Sequence, residues 1–261
     1  MQFYGPLDHF SLWGLLAVTV ALIFAAIEGG YRLGRSRRDR LDDEMEGPVG
    51  GIVAATLALL GFILAFTFSL AATRFQSRRE IIVEEDNAIG TCFLRAGMLP
   101  DGRGPKVRSL LRDYVDARLE VLQSKDIDGL LKRSDELHRQ LWKEAEAAGR
   151  EHPESIVVGL FVQSLNETID MHSTRILVSI QNRLPLPLWV ILYAATLLTM
   201  MGVGYHEGLS KSRRSPAIVV LVLVFALIFG LIADLDRPQE GWLRVGTGAT
   251  VDLRKMMDEL N

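Results

Sequence analysis

Residues 47–73 read GPVGGIVAATLALLGFILAFTFSLAAT and contain no charged side chain. About 20 apolar residues are enough to cross the hydrocarbon core of a bilayer, so this stretch predicts a transmembrane helix. The chain continues over residues 74–100 as RFQSRREIIVEEDNAIGTCFLRAGMLP, in which charged and apolar residues are mixed. Neither Pro nor a Gly pair interrupts it before Gly90, so we expect the helix to leave the membrane and to extend as a polar helix to about residue 99.

Three further uncharged runs are close to or above the length of a membrane span. They occupy residues 10–27, 184–205 and 215–233. Together the four runs predict an all-α membrane protein with four transmembrane helices and a helical soluble block between the second and the third. The predicted segments are transmembrane helices 8–34, 47–73, 184–206 and 215–234, a helical soluble region 100–183, and a C-terminal tail 235–261 with a short amphipathic end. Asp8 is the expected N-cap of the first helix.

The soluble block carries three patterns of apolar residues at helical spacing. They cover Lys106–Gln123, Asp128–Gly149 and Pro153–Arg183. Pro153 is expected in the first turn of the third helix, where its missing N–H costs nothing. Because each pattern has one apolar face, we expect a layer of helices that packs against the polar extension of the second transmembrane helix.

The charge of the polar region argues against nucleic acid as a partner. Residues 74–183 hold 17 Lys/Arg and 18 Asp/Glu. Phosphate binding needs a basic surplus on one face, which this balance does not supply. The predicted partners are instead the lipid bilayer and further copies of the same chain.

The sequence contains no motif for catalysis or for a cofactor. Phosphate-loop, dinucleotide, serine-hydrolase and zinc-protease motifs are absent from it. The histidines are His9, His138, His152, His172 and His206. No two stand at ligand spacing, so we expect each at a surface or interface and predict no metal site, no cofactor and no enzyme. The single cysteine, Cys92, is expected to be a packed small hydrophobe.

A charged cluster follows the second apolar run. Arginines mark the exit from the membrane, and acidic residues follow one or two turns later. The members are Arg74, Arg78, Arg79, Glu84, Glu85, Asp86 and Asn87. Their spacing favours mutual pairing along one helix, in solvent or between subunits. The alternative is that the carboxylates bind a cation or transfer protons.

Phe62 and Phe66 are four residues apart, so their rings lie on one face of the second transmembrane helix. Ala58 and Leu70 extend this stripe. The stripe has two interpretations, packing against lipid or a partner helix, and an aromatic constriction in a pore.

The stretch LGFILAFTFSLAATRFQSRREIIVEEDNAIGT, residues 60–91, resembles the bestrophin family of anion channels. It is more closely similar to the bacterial bestrophin-like proteins, a group labelled as a domain of unknown function. The resemblance rests on the Ala-Ala-Thr-Arg-Phe segment ending at Phe75, on the order of two membrane helices, a helical block and two membrane helices, and on ADLDRPQEG at residues 233–241.

The resemblance implies a pentamer with the second helix of each subunit around the axis. The apolar neck of bestrophins would then fall on Ala58, Phe62 and Phe66, with small anions such as chloride as the permeant species. The calcium-binding acidic run of animal bestrophins is reduced here to Asp234, Asp236 and Glu240, so calcium gating is not implied. The resemblance also favours the bacterial plasma membrane, with both termini and the helical block in the cytoplasm.

Two hypotheses of different classes follow. In the first, the protein is a homo-oligomeric anion channel whose second helix lines the pore. In the second, it is a non-conducting membrane sensor or scaffold whose soluble helices bind a ligand or partner. The number of subunits in the assembly discriminates between them.

Overall fold

The computed structural model of the chain describes eight α-helices, and every regular element within its described residues is helical. The described residues are 11–38, 46–121, 127–181, 183–210, 216–237, 242–243 and 246–260. The helices are α1 Leu12–Arg37, α2 Glu46–Ala96, α3 Gly104–Val121, α4 Ile127–Glu151, α5 Ile156–Gln181, α6 Leu186–Leu209, α7 Ala217–Asp236 and α8 Gly248–Glu259.

Four of these helices, α1, α2, α6 and α7, are long and apolar enough to cross a membrane. Three more helices, α3, α4 and α5, separate the second of these spans from the third. The predicted class, an all-α membrane protein with a helical block between its second and third spans, is therefore confirmed.

The helices group into two compact units. The membrane unit comprises the described parts of residues 1–75 and 183–243, and the polar unit those of residues 76–182 and 244–261. The 51-residue helix α2 belongs to the membrane unit through Phe75 and to the polar unit beyond it. Its one proline, Pro48, lies in the first turn, where a missing N–H breaks no helical hydrogen bond.

Glycines bring α1 and α6 into backbone contact within the membrane unit. A Cβ atom on Gly30 would lie 2.0 Å from the carbonyl oxygen of Met201, and one on Gly204 would lie 2.0 Å from that of Ile27. Gly34 and Gly208 are as closely packed, each four residues further along its helix. Paired small residues at this spacing are the usual means by which membrane helices approach closely, and here they allow α1 to pack directly on the backbone of α6.

The described start of α1 is capped by Ser11, whose hydroxyl accepts a hydrogen bond of 3.0 Å from the Gly14 N–H. The predicted cap, Asp8, lies outside the described residues. At its other end α1 extends to Arg37, past the predicted end at Gly34.

The polar unit has its own apolar core. Large side chains from α2, α3, α4, α5 and α8 meet in it; they include Phe93, Leu111, Leu141, Phe161, Leu165 and Met257. Cys92 is fully buried there, and this burial raises the pKa of its thiol to about 12. The prediction of a packed cysteine is confirmed.

The start of α5 differs from the expectation. Pro153 lies in a turn before the helix, which begins at Ile156. Ser155 caps it instead, because its hydroxyl accepts a hydrogen bond of 3.3 Å from the Val158 N–H. The prediction that Pro153 occupies the first turn was wrong, since a capping serine two residues later fixes the start.

Candidate functional site

The first candidate site is the aromatic stripe on α2 in the membrane unit. Phe62 and Phe66 are 62% and 66% exposed, and their ring centroids lie 5.1 Å apart. Ala58, one turn earlier, is exposed as well. The opposite face of α2 packs into the core of the membrane unit, where Leu60 and Leu64 are buried. The stripe therefore faces away from the chain's own core and is free to contact lipid, another copy or a pore.

The arginines predicted to mark the membrane exit occupy three different environments. Arg79 is exposed, Arg74 is half-buried and Arg78 is buried. The boundary between the two units of the chain falls within this segment. The three residues are thus not one solvated patch.

The second candidate site is a buried ionic network in the polar unit, centred on Glu85. Its Oε2 atom lies 2.9 Å from Nη2 of Arg118 and 2.6 Å from Nε of Arg175. Its Oε1 atom accepts a hydrogen bond of 2.6 Å from the Tyr114 hydroxyl. Glu85 has no exposed surface, so this carboxylate is held entirely by protein groups.

Asp86, the next residue, extends the network to α8. Its Oδ1 atom accepts a hydrogen bond of 2.6 Å from Nη1 of Arg118, and its Oδ2 atom accepts one of 2.7 Å from the Thr250 hydroxyl. Two carboxylates and two guanidinium groups balance one another, as burial of charge requires. The network ties α2, α3, α5 and α8 together.

Histidines continue the network on the side of Tyr114. The Tyr114 oxygen lies 2.9 Å from Nδ1 of His172. Because Tyr114 donates its own proton to Glu85, its oxygen must accept from His172, which therefore carries its proton on Nδ1. The ring of His138 packs beside both, with centroids 4.6 Å from Tyr114 and 4.8 Å from His172.

These surroundings shift the pKa values of the network. Burial alone would raise the pKa of Glu85, but the His172 ring, the Arg118 and Arg175 charges and the Tyr114 hydroxyl together lower it to about 2. Burial, and then the electrostatic interaction with the neighbouring His172 ring, lower the pKa of His138 to about 4. At neutral pH Glu85 is therefore ionised and His138 is neutral.

The structure corrects the picture of a solvated acidic cluster. Glu84 and Asn87 are exposed, but Glu85 and Asp86 are buried. The arginine partners of Glu85 on other helices come from α3 and α5 and were not anticipated. The other residues of the network that sequence reasoning missed are Tyr114, His138 and His172.

The spacing of polar residues from core residues along each helix could have indicated two of these buried side chains. Arg118 stands seven residues after the core residue Leu111, and His172 stands seven after the core residue Leu165. Both positions fall on the buried face of their helices. The expectation of surface or interfacial histidines was wrong for His138 and His172, because a polar residue on a core face is buried whatever its type.

The predicted acidic segment after the fourth span lies partly within α7. Asp234 and Asp236 are in its last turn, and both are buried. The Asp234 carboxylate accepts hydrogen bonds of 2.8 and 3.0 Å from the backbone N–H groups of Trp242 and Leu243, and Asp236 accepts one of 2.8 Å from that of Leu184. The two carboxylates thus position the segments that flank α6 and α7. Glu240 lies outside the described residues.

Comparison with known proteins agrees with this architecture. The model of the family described as the Bestrophin-like domain matches residues 15–250, which is most of the chain. No curated protein and no solved structure matches the chain.

Proposed function

The chain belongs to the bestrophin-like family, and on that premise we propose that several copies assemble around a common axis into a membrane channel for small anions. In this proposal α2 of each copy faces the axis, and a ring of Ala58, Phe62 and Phe66 forms the constriction. Five copies, as the resemblance to bestrophins implies, would close the ring.

The observation that carries the proposal is the exposure of the two phenylalanines. Phe62 and Phe66 contact each other on a face of α2 that the chain's own core leaves free. The edge of an aromatic ring is its positive side, and a ring of such edges forms an apolar constriction that can lose its water. An anion that sheds part of its hydration shell would pass between these edges.

The experiment is reconstitution of the purified full chain in planar bilayers. Phe66→Ala should raise single-channel conductance or change rectification, because it widens the constriction. Phe68→Ala is the matched control, since Phe68 is also exposed on α2 but lies more than half a turn around it. Silence of the wild type with several anions and cations would contradict conduction, and equal effects of both variants would contradict the pore position of Phe66.

A second candidate function is a non-conducting sensor or scaffold. The ionic network favours it, because α2 carries both the exposed stripe and Glu85, and a ligand bound in the polar unit would act on the same helix. Native mass spectrometry in detergent discriminates the two functions. A monomer or dimer favours the sensor, and a five-copy assembly favours the channel.

We place the protein in the bacterial plasma membrane with the polar unit in the cytoplasm. The buried Cys92 provides a silent background for thiol labelling. A cysteine introduced by Glu84→Cys, at an exposed position of the polar unit, should resist a membrane-impermeant maleimide in intact cells. Labelling without cell lysis would reverse the orientation.

A further inference from the structure

A group of potential metal ligands lies in the polar unit beside the ionic network. Asp135 and His138 are three residues apart on α4, so they share one face of that helix, and His172 reaches them from α5. One ligand atom from each of the three residues lies within 4.8 Å of the others. Two imidazoles and a carboxylate on neighbouring helices are a donor set that helical proteins use to hold metal ions.

The two histidines carry ring nitrogens that the described residues leave without a partner. His138 is 7% exposed and His172 is 3% exposed. The Nε2 atom of each is buried, and among the described residues neither makes a hydrogen bond. Because a buried polar atom without a partner is destabilising, two such atoms in one cluster point to a bound group.

The hydrogen bonds around His172 prepare it as a ligand. Its Nδ1–H donates to the Tyr114 oxygen, which in turn donates to the Glu85 carboxylate. This arrangement leaves a lone pair on Nε2, the atom without a partner. A metal-binding histidine commonly donates its other N–H to such a chain, which fixes the ring and makes it a stronger ligand.

We propose that Asp135, His138 and His172 bind a divalent transition metal ion of the zinc class. Two nitrogen donors and one oxygen donor suit such an ion, whereas Mg²⁺ and Ca²⁺ prefer sites built from oxygen alone. Tetrahedral ligands at zinc bond lengths stand about 3.4 Å apart, so ligand atoms that lie within 4.8 Å of one another need to close by at most about 1.4 Å. The Asp135 side chain is exposed and can make this movement, and solvent can supply the fourth ligand.

The bound ion would join α4 to α5 and, through Tyr114 and Glu85, connect to α2. This role does not depend on whether the protein conducts ions. Its first measurable effect is on the stability of the polar unit, because a ligand that binds the folded state stabilises it.

A second group of ligand type, Asp101, Glu151 and His152, provides the competing location. Its acids are exposed and its histidine is half-buried. Its side chains also have partners, since His152 bonds to Asp101 and Arg103 bonds to Glu151. It is therefore the weaker candidate, and His152→Gln serves as a control.

The test measures Zn²⁺ bound to the purified full chain in detergent, after removal of metal with a chelator. The wild type should bind Zn²⁺ with a gain in thermal stability, and Co²⁺ in its place should give the visible absorption of a tetrahedral site with nitrogen ligands. Asp135→Asn should weaken Zn²⁺ binding by about tenfold or more. His138→Gln should abolish it and remove the Co²⁺ spectrum.

Two matched controls should keep wild-type Zn²⁺ binding. They are His152→Gln, in the competing group, and Asp128→Asn, an exposed carboxylate on the same helix α4. If His138→Gln fails to fold, Asp135→Asn decides, because its exposed side chain is not needed for the core. The proposal is overturned if the wild type binds no Zn²⁺, if Asp135→Asn binds as tightly as the wild type, or if His152→Gln alone loses the ion.

Discussion

In the membrane unit α2 exposes the apolar rings of Phe62 and Phe66, whereas in the polar unit the same helix buries the charged groups of Glu85 and Asp86. Each half thus contains side chains that depart from the usual distribution of a water-soluble helix. The exposed phenylalanines are tolerated because lipid, or an apolar partner surface, is as good a solvent for them as a core. The buried carboxylates are tolerated because guanidinium and hydroxyl groups surround them.

Side-chain polarity therefore does not by itself fix exposure along α2. In the membrane unit, lipid or an apolar partner surface takes the place of a protein core around the phenylalanines. In the polar unit, guanidinium and hydroxyl groups take the place of water around the buried carboxylates, and no other group can replace them if they are lost. Changes to the buried charges should therefore affect stability far more than changes of similar size on the exposed surface.

The largest effect is expected from Glu85→Ala. The substitution leaves Arg175 without its carboxylate partner and Arg118 with only Asp86. Breaking a buried ion pair from one side costs about 3–5 kcal/mol. Hydrogen exchange of the α3 and α5 amides in the full chain should report this loss.

The control for that variant is its neighbour, Glu84→Ala, which removes an exposed carboxylate. Its effect on the same amides should be below about 0.5 kcal/mol. Equal effects of the two variants would show that the Glu85 network does not stabilise the polar unit.

Acidification should produce the next largest effect. The pKa of Glu85 falls from 4.5 to about 2 on folding. Its contribution is therefore complete above pH 4.5 and is lost as the pH falls from 4.5 to about 2, by about 3 kcal/mol in total. The pKa of His138 falls from 6.5 to about 4 on folding, so the unfolded chain binds this proton at a higher pH than the folded chain does. Protonation of His138 therefore lowers the stability of the fold further as the pH falls from 6.5 to about 4.

Hydrogen exchange of the polar unit as a function of pH tests this prediction. Glu85→Gln should remove the step below pH 4.5 and keep the step that belongs to His138. An unchanged pH profile in Glu85→Gln would assign the acid sensitivity to other groups.

A smaller effect is expected in the membrane unit from Gly30→Ala. The added methyl group meets the Met201 carbonyl, so α1 and α6 must separate, at a cost of about 1–3 kcal/mol. Gly29→Ala is the matched control, because no atom lies within 4 Å of its added Cβ. Thermal unfolding in detergent should rank Gly30→Ala below Gly29→Ala, and the reverse order would contradict the close packing of α1 on α6.

Much of the fold could be predicted from runs and periods in the sequence. The four apolar runs identified the membrane class, and the absence of Pro and of Gly pairs from residue 74 to Gly90 indicated the long α2. The glycines of α1 and α6 were visible, but their pairing was not, because no local pattern states which helix each one meets. The start of α5 was misplaced for a related reason, since Pro153 and Ser155 are both good signals and only the backbone path chooses between them.

The candidate sites were likewise predicted only in part. The shared face of Phe62 and Phe66 followed from their spacing of four residues. The partners of Glu85 did not, because Arg118 and Arg175 are 33 and 90 residues away in the chain. The histidine cluster was missed because spacing along the sequence cannot place His138 beside His172 when they stand on different helices.

The four apolar helices and the charge-balanced helical block could be predicted without knowledge of the tertiary structure. The reason is that the length and the polarity of a segment can be read directly from consecutive residues of the chain. Three outcomes could be seen only in the folded chain, namely which charges are buried, which arginines pair with them and which histidines meet. Those outcomes depend on which helix faces pack together, and burial then forces each polar group to find a partner from another part of the chain.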